Sequence, residues 1–157
     1  FLALDNNTAL TNILTGLGVL SKGELAGERI FVAYDNQDQE DEHSCFSDNT
    51  HRDIILNAKG IRNVYTGSYA GTVNVSGASV SDLVELVNPT LNQAMLTLLS
   101  TTATNTSSIY VPFDNALTLS TERPQILTTV QGLQAQGNKI VEVAAALGLT
   151  VSAELPE

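Results

Sequence analysis

Both histidines of the chain, its single cysteine and five carboxylates lie within residues 39–53. Residues 41–53 read DEHSCFSDNTHRD. Imidazole and carboxylate groups together are the ligand set typical of iron, zinc or manganese sites. A carboxylate next to a histidine can also fix its tautomer or tune it for acid–base chemistry. This segment therefore predicts a site that binds a metal or another ligand.

No catalytic residue is predicted, because the two histidines are not the i, i+4 pair of a zinc-protease helix. The expected metal ligands are His43, His51, Asp48 and Glu40. The residues expected to support them are Asp41, Glu42, Asp53 and Cys45. An alternative stays open, in which the segment is a solvated acidic loop and both histidines hydrogen-bond locally.

Cys45 stands beside Phe46, a setting more typical of a small buried apolar residue than of a nucleophile. A single cysteine also excludes an internal disulfide framework. Glycine-rich phosphate loops and the Gly-x-Ser-x-Gly elbow do not occur in the sequence. Apart from residues 39–53, the sequence shows no strong chemical motif.

Two helices are expected to position this segment. The first has apolar residues at helical spacing and a glycine, Gly23, suited to end it; its apolar face consists of Leu10, Ile13, Leu14, Leu17 and Leu20. Gly16 and Gly18 within it indicate close approach of another helix or of a ligand, and we expect the helix. The second starts after Ser47-Asp48-Asn49, which supplies its cap, and places His51 in its first turn.

The remaining segments are also mainly helical. Residues 24–34 fit either a strand or a short helix, and we predict a helix; residues 66–78 form a long connection with a little extended structure. Ser79 begins a further helix, and Asn88-Pro89 restarts it. Residues 101–108 either fray that helix or form a loop, and a last helix runs from about Thr121 to Leu147.

These patterns predict an all-α fold, an antiparallel bundle of about four main helices with long loops. Residues 1–157 would form a single domain of this kind. Seventeen acidic against seven basic residues give a net charge of −10, which argues against nucleic acid and anionic membranes as partners. No apolar run approaches the roughly 18 residues of a membrane-spanning helix.

The run DEHSCFSDNTHRD resembles the second-half signature of bacterial imelysin-like proteins, especially the branch called iron-regulated protein A. Residues 25–30 (LAGERI) and residues 60–65 (GIRNVY) fit the same branch. The resemblance is closest over residues 8–69. The family's Gly-x-His-x-x-Glu motif belongs to the first half, and neither His43 nor His51 fits it.

The resemblance implies an exported protein, periplasmic or attached to the cell envelope as a lipoprotein, made with a signal sequence and built from two related helical bundles. Its site would lie between the two halves. The chain starts at Phe1 without an initiator Met or a signal-peptide pattern, so we expect a processed product or a fragment of something longer. Because neither histidine fits the first-half motif, the resemblance implies that the chain corresponds to the second half alone. The partners implied are the N-terminal half of that precursor, or another domain, and outer-membrane iron-uptake proteins.

We therefore expect an iron-regulated periplasmic protein of bacterial iron uptake that binds iron or an iron ligand and is not an enzyme. The alternative is a metal-dependent peptidase, in which His43 and His51 hold zinc and a Glu activates water. A second alternative is a structural or protein-binding helical domain.

Overall fold

The computed structural model describes residues 1–155, and these form a helical bundle with one small hairpin. The helices are α1 (Asn6–Val19), a π-helix (Leu20–Phe31), α2 (Val32–Asn36), α3 (Thr50–Thr66), α4 (Val80–Val87), α5 (Pro89–Ser107), α6 (Phe113–Thr118) and α7 (Arg123–Ala146). Strands β1 (Ser68–Tyr69) and β2 (Val75–Ser76) pair antiparallel. The all-α prediction is confirmed, and within residues 1–155 the two-stranded hairpin is the whole of the β-structure.

The first helix does not end at Gly23, as the sequence predicts, but continues through the π-helix into α2. Val19, which precedes the π-helix, and Phe31, which precedes α2, both have right-handed helical backbone angles. The chain therefore stays helical across both junctions. Gly23 instead gives room to another segment, because a Cβ added there would lie 2.8 Å from Leu155 Cγ. Residues 24–34 are helical, as predicted, and the helix ends with Gln37 in the left-handed conformation.

Helix α7 is the centre of the bundle, in contact with the π-helix, α5, α1 and α6. Its side chains Ile126, Leu133 and Ile140 are fully buried and share one face of the helix. Helix α3 packs against α5 and the π-helix, and both of these contact α7. At the start of α3, where His51 lies, Thr50 and Ile54 are buried in the bundle.

Glycines allow α7 to approach the first helix closely. A Cβ on Gly137 would lie 2.6 Å from Lys22 Cβ and 3.2 Å from the Gly18 carbonyl oxygen. A Cβ on Gly18 would lie 3.1 Å from Ala153 Cβ, whereas Gly16 has no neighbour within 4 Å of such a position. The predicted close approach is therefore found at Gly18 and not at Gly16.

A buried polar chain also joins these helices. Gln136 Nε2 donates to Ser21 Oγ at 3.0 Å, and Ser21 Oγ donates to the Leu133 carbonyl at 2.8 Å. Thr102 Oγ1 donates to Gln136 Oε1 at 2.5 Å. Because all three side chains are buried, this chain fixes the π-helix, α5 and α7 in one register.

Helices α4 and α5 begin as the sequence predicts. Ser79 and Asp82 form a capping box at α4, and Asn88 accepts from the Leu91 N–H with Pro89 in the first turn of α5. For residues 101–108 the sequence fits either a frayed helix end or a loop. In the structure α5 continues to Ser107. No helix in residues 1–155 has the length and apolar character needed to cross a membrane.

Candidate functional site

Residues 37–49 connect α2 to α3 and carry most of the predicted site. Two short 3₁₀ turns, Gln39–Asp41 and Cys45–Ser47, shape this loop. Asp38 caps the first turn by accepting from the Glu40 N–H at 2.9 Å, and Asn36 Nδ2 donates to Asp41 Oδ2 at 2.7 Å. Glu40 and Asp41 are both exposed.

Asp48 does not cap α3. It is exposed and adopts a left-handed conformation (φ 52°) at the end of the second 3₁₀ turn. The residue at the N-cap position is Asn49, and its side chain makes no capping hydrogen bond. A left-handed residue reverses the chain between the two helical segments, which explains why Asp48 serves as a turn and not as a cap.

Asp53 holds the loop against α3. Its Oδ2 accepts a short hydrogen bond from Ser44 Oγ, and its Oδ1 accepts from Asn49 Nδ2 at 3.4 Å. The Ser44 N–H also donates to Thr50 Oγ1 at 3.1 Å. These hydrogen bonds tie the loop to the first turn of α3.

Glu42 has the most unusual environment in the segment. Its side chain is only 5% exposed, and neither carboxylate oxygen has a hydrogen-bond partner within residues 1–155. A buried polar group without a partner costs about 1–3 kcal/mol, and more when it is charged. Such a carboxylate is poised to accept a cation or a proton donor.

The surroundings of Glu42 disfavour its charged form. Burial raises the pKa of its carboxyl group above the usual 4.5, and the nearby charges of Asp114 and Asp48 raise it further. The Thr50 hydroxyl is near enough to lower the pKa, although it is not in hydrogen-bonding geometry. The two charges that raise the pKa of Glu42 are thus both negative.

Asp114 is a site residue that the sequence analysis missed. It lies in the first turn of α6, far along the chain from Glu42, and its Oδ1 atom is buried without a partner. The sequence shows Asp114 only as part of a Val-Pro-Phe-Asp turn, and no motif links that turn to residues 39–53. Only the folded chain brings its charge close to Glu42.

The two histidines lie in different settings. His51 is half-buried in the first turn of α3, as predicted, and its Nδ1 atom is buried without a hydrogen-bond partner. His43 is exposed on the loop between the two 3₁₀ turns. An imidazole nitrogen without a partner can offer its lone pair to a metal or accept a proton donor.

Cys45 and Phe46 form the tip of the loop. Cys45 is a free thiol and is half-buried, whereas the side chain of Phe46 is fully exposed. A fully exposed aromatic side chain gives the loop an apolar component. We use the name loop face for a set of candidate residues: Glu42, His43, Cys45 and Phe46 on the loop, His51 in the first turn of α3, and Asp114, whose charge acts on Glu42.

The donor atoms fit a hard or borderline cation in type but not in number. Carboxylate oxygens of Glu42 and Asp114 and the imidazole nitrogen of His51 are ligands that iron accepts. Within residues 1–155, however, no three or more His, Cys, Asp or Glu side chains are grouped so that they could hold a metal ion. A metal at the loop face would thus need further ligands.

The family of the chain follows from its amino-acid sequence. The profile of the imelysin family, described as peptidase family M75, matches residues 1–140. The chain therefore belongs to the imelysin family. No curated protein matches the chain significantly.

Proposed function

We propose that this protein is an iron-binding component of the bacterial cell envelope, acting in iron uptake from the periplasm, and that the loop face contributes part of its binding site. The observation that carries the proposal is the buried Glu42 carboxylate with two unpartnered oxygens. Retaining such a group costs stability unless something binds it. A cation relieves that cost and also offsets the negative charge of Asp114 and Asp48.

Two structural features support a binding site that another domain completes. The loop face offers fewer than three grouped metal ligands from residues 1–155, and it exposes Phe46 fully. A second imelysin-like bundle from the same precursor, placed over Phe46, would bury this ring and bring further ligands to Glu42. His43, Glu40 and Asp48 are exposed, so they remain proposed ligands that such a domain could engage.

Anaerobic equilibrium dialysis against ferrous iron, followed by elemental analysis, tests the proposal. We expect Glu42→Gln to weaken iron binding at least about tenfold, since it removes the charge and one acceptor oxygen. Glu28→Gln is the matched control, because Glu28 is an exposed carboxylate on the π-helix, outside the loop face. Equal iron affinity of the Glu42→Gln and Glu28→Gln variants would contradict the proposal.

The same measurement on the intact precursor tests the second half of the site. A preorganised, complete site binds more tightly than an isolated part of it. We therefore expect the precursor to bind ferrous iron more tightly than this chain does. Iron affinity as high in the chain alone would show that no second domain completes the site.

The peptidase alternative rests on the family description, which includes a peptidase class. In peptide-bond hydrolysis by such an enzyme, His43 and His51 would hold zinc, and a nearby Glu would activate water. His43 is exposed and His51 is half-buried, and these exposures alone do not place both side chains at one ion. Zinc-dependent cleavage of a casein substrate that is lost in His51→Ala would favour this alternative over iron binding.

A further inference from the structure

A cavity of about 520 Å³ lies between the second half of α3, the start of the hairpin and the end of α5. This volume is in the range of small-molecule sites. The residues that line it include Lys59, Arg62, Asn63, Thr66, Ser68 and Ser107. None of them is acidic, although the chain carries a net charge of −10.

The two cations of this cavity are not used elsewhere within residues 1–155. The cations that form ion pairs within residues 1–155 are Lys22, Arg29 and Lys139. Lys59 and Arg62 form no ion pair and donate no side-chain hydrogen bond within the same range. Their charge is therefore free to act on a ligand.

Lys59 and Arg62 do not stabilise the C-terminal end of α3. Cations compensate a helix macrodipole within its last turn, and the last turn of α3 contains no basic residue. Lys59 and Arg62 are three positions apart, so that they lie on one face of α3 and point the same way. Both side chains are exposed, which leaves them accessible from solvent.

The hairpin wall of the cavity is fixed to α3. With its amide nitrogen oriented to donate, Asn63 hydrogen-bonds the carbonyl oxygens of Lys59 at 3.3 Å and of Ser68 at 3.0 Å. The hydroxyl groups of Thr66 and Ser107 donate to backbone carbonyls. The donors left for a ligand are thus the Lys59 ammonium, the Arg62 guanidinium and the Ser68 hydroxyl.

We infer that this cavity binds a small ligand with two or more anionic oxygen groups, either carboxylates or phosphates. A guanidinium presents a planar fork that matches such groups, and an ammonium adds a second, mobile point charge. The cavity is distinct from the loop face, because Lys59 follows His51 by two helical turns on α3. The inference does not depend on iron binding, and Glu42→Gln should leave anion binding unchanged.

Isothermal titration calorimetry on the metal-free chain tests the inference, with pyrophosphate and citrate as separate probes. We expect saturable binding of at least one probe, and the stronger one assigns the class of anion. Lys59→Ala and Arg62→Ala should each weaken binding at least about tenfold, the effect of losing one charged hydrogen bond. Both side chains are exposed, so the variants are expected to fold, as circular dichroism would show.

Arg52→Ala is the matched control. Arg52 is a third exposed cation on α3 that forms no ion pair within residues 1–155, and it does not line the cavity. We expect Arg52→Ala to retain the affinity of the unmodified chain. An equal loss in Arg52→Ala and Lys59→Ala would show nonspecific attraction, and that result, or the absence of saturable binding for both probes, would overturn the inference.

Discussion

Glu42 and Asp114 are two carboxylates that the fold brings close enough for the charge of Asp114 to raise the pKa of Glu42. Both also have buried oxygen atoms without hydrogen-bond partners in residues 1–155. Like charges that approach in a poorly solvated place destabilise each other. This arrangement is unfavourable for an empty site and favourable for one that receives a cation.

Removing the Glu42 charge should stabilise the iron-free protein at neutral pH. Burial raises the pKa of Glu42 in the folded state, so its contribution to stability is complete below the usual pKa of 4.5. That contribution is lost as the pH rises through the folded-state pKa. We expect Glu42→Gln to raise the free energy of unfolding by about 1–2 kcal/mol at pH 7.

Urea denaturation of both proteins at pH 4 and pH 7, with a chelator present, measures this difference. The gain from Glu42→Gln should be larger at pH 7 than at pH 4. A variant less stable than the unmodified chain at pH 7 would show that the charged carboxylate makes a favourable contact.

Gly137→Ala should destabilise the bundle by about 1–3 kcal/mol. The added methyl group would lie 2.6 Å from Lys22 Cβ, which forces α7 away from the first helix. Gly60→Ala is the matched control, because it is also mid-helix and has no neighbour within 4 Å of the new Cβ. That variant should gain up to about 1 kcal/mol of stability. Thermal melts of both variants check the opposite signs.

Gln136→Ala should cost about 2 kcal/mol. The substitution removes the hydrogen bonds from Gln136 to Ser21 and from Thr102 to Gln136, and it leaves a cavity between three helices. Gln134→Ala, an exposed glutamine on the same helix, should change stability by less than about 0.5 kcal/mol. Similar losses in both variants, measured by urea denaturation, would contradict a role for the buried chain.

Tyr65→Phe should cost about 1 kcal/mol and change the behaviour of the protein at high pH. The buried Tyr65 hydroxyl donates to Asn92 Oδ1 at 2.9 Å. Burial, with a smaller effect of the Glu85 charge, raises the pKa of Tyr65 to about 12. Stability from this group is therefore complete below the usual pKa of 10 and is lost as the pH rises from there through the folded-state pKa of about 12. The unmodified chain should lose more stability between pH 9 and pH 11 than Tyr65→Phe does.

Local signals in the sequence predict the helix starts well. Ser79 with Asp82, and Asn88 with Pro89, define caps whose chemistry is complete within a few residues, and the structure has both. The continuation through Gly23 was not predicted, because a glycine suits a helix end and a close helix contact equally well. The contact with Leu155 that decides between them involves the far end of the chain.

The candidate site was predictable only in part. Residues 39–53 stand out by composition, and the position of His51 in the first turn of α3 follows from local pattern. The burial of Glu42, between exposed Asp41 and exposed His43, does not follow from local pattern. All three residues are polar, and the sequence does not indicate which of them faces inward. Asp114 reaches the site through tertiary packing alone.

Diffraction at the iron absorption edge, from crystals of the protein soaked anaerobically in ferrous iron, tests the central claim most directly. We predict an anomalous peak at the loop face, within coordination distance of a Glu42 carboxylate oxygen and absent from Glu42→Gln crystals. Crystals of Glu28→Gln should keep the peak. An iron peak elsewhere on the molecule, or one at the loop face that survives Glu42→Gln, would contradict the claim.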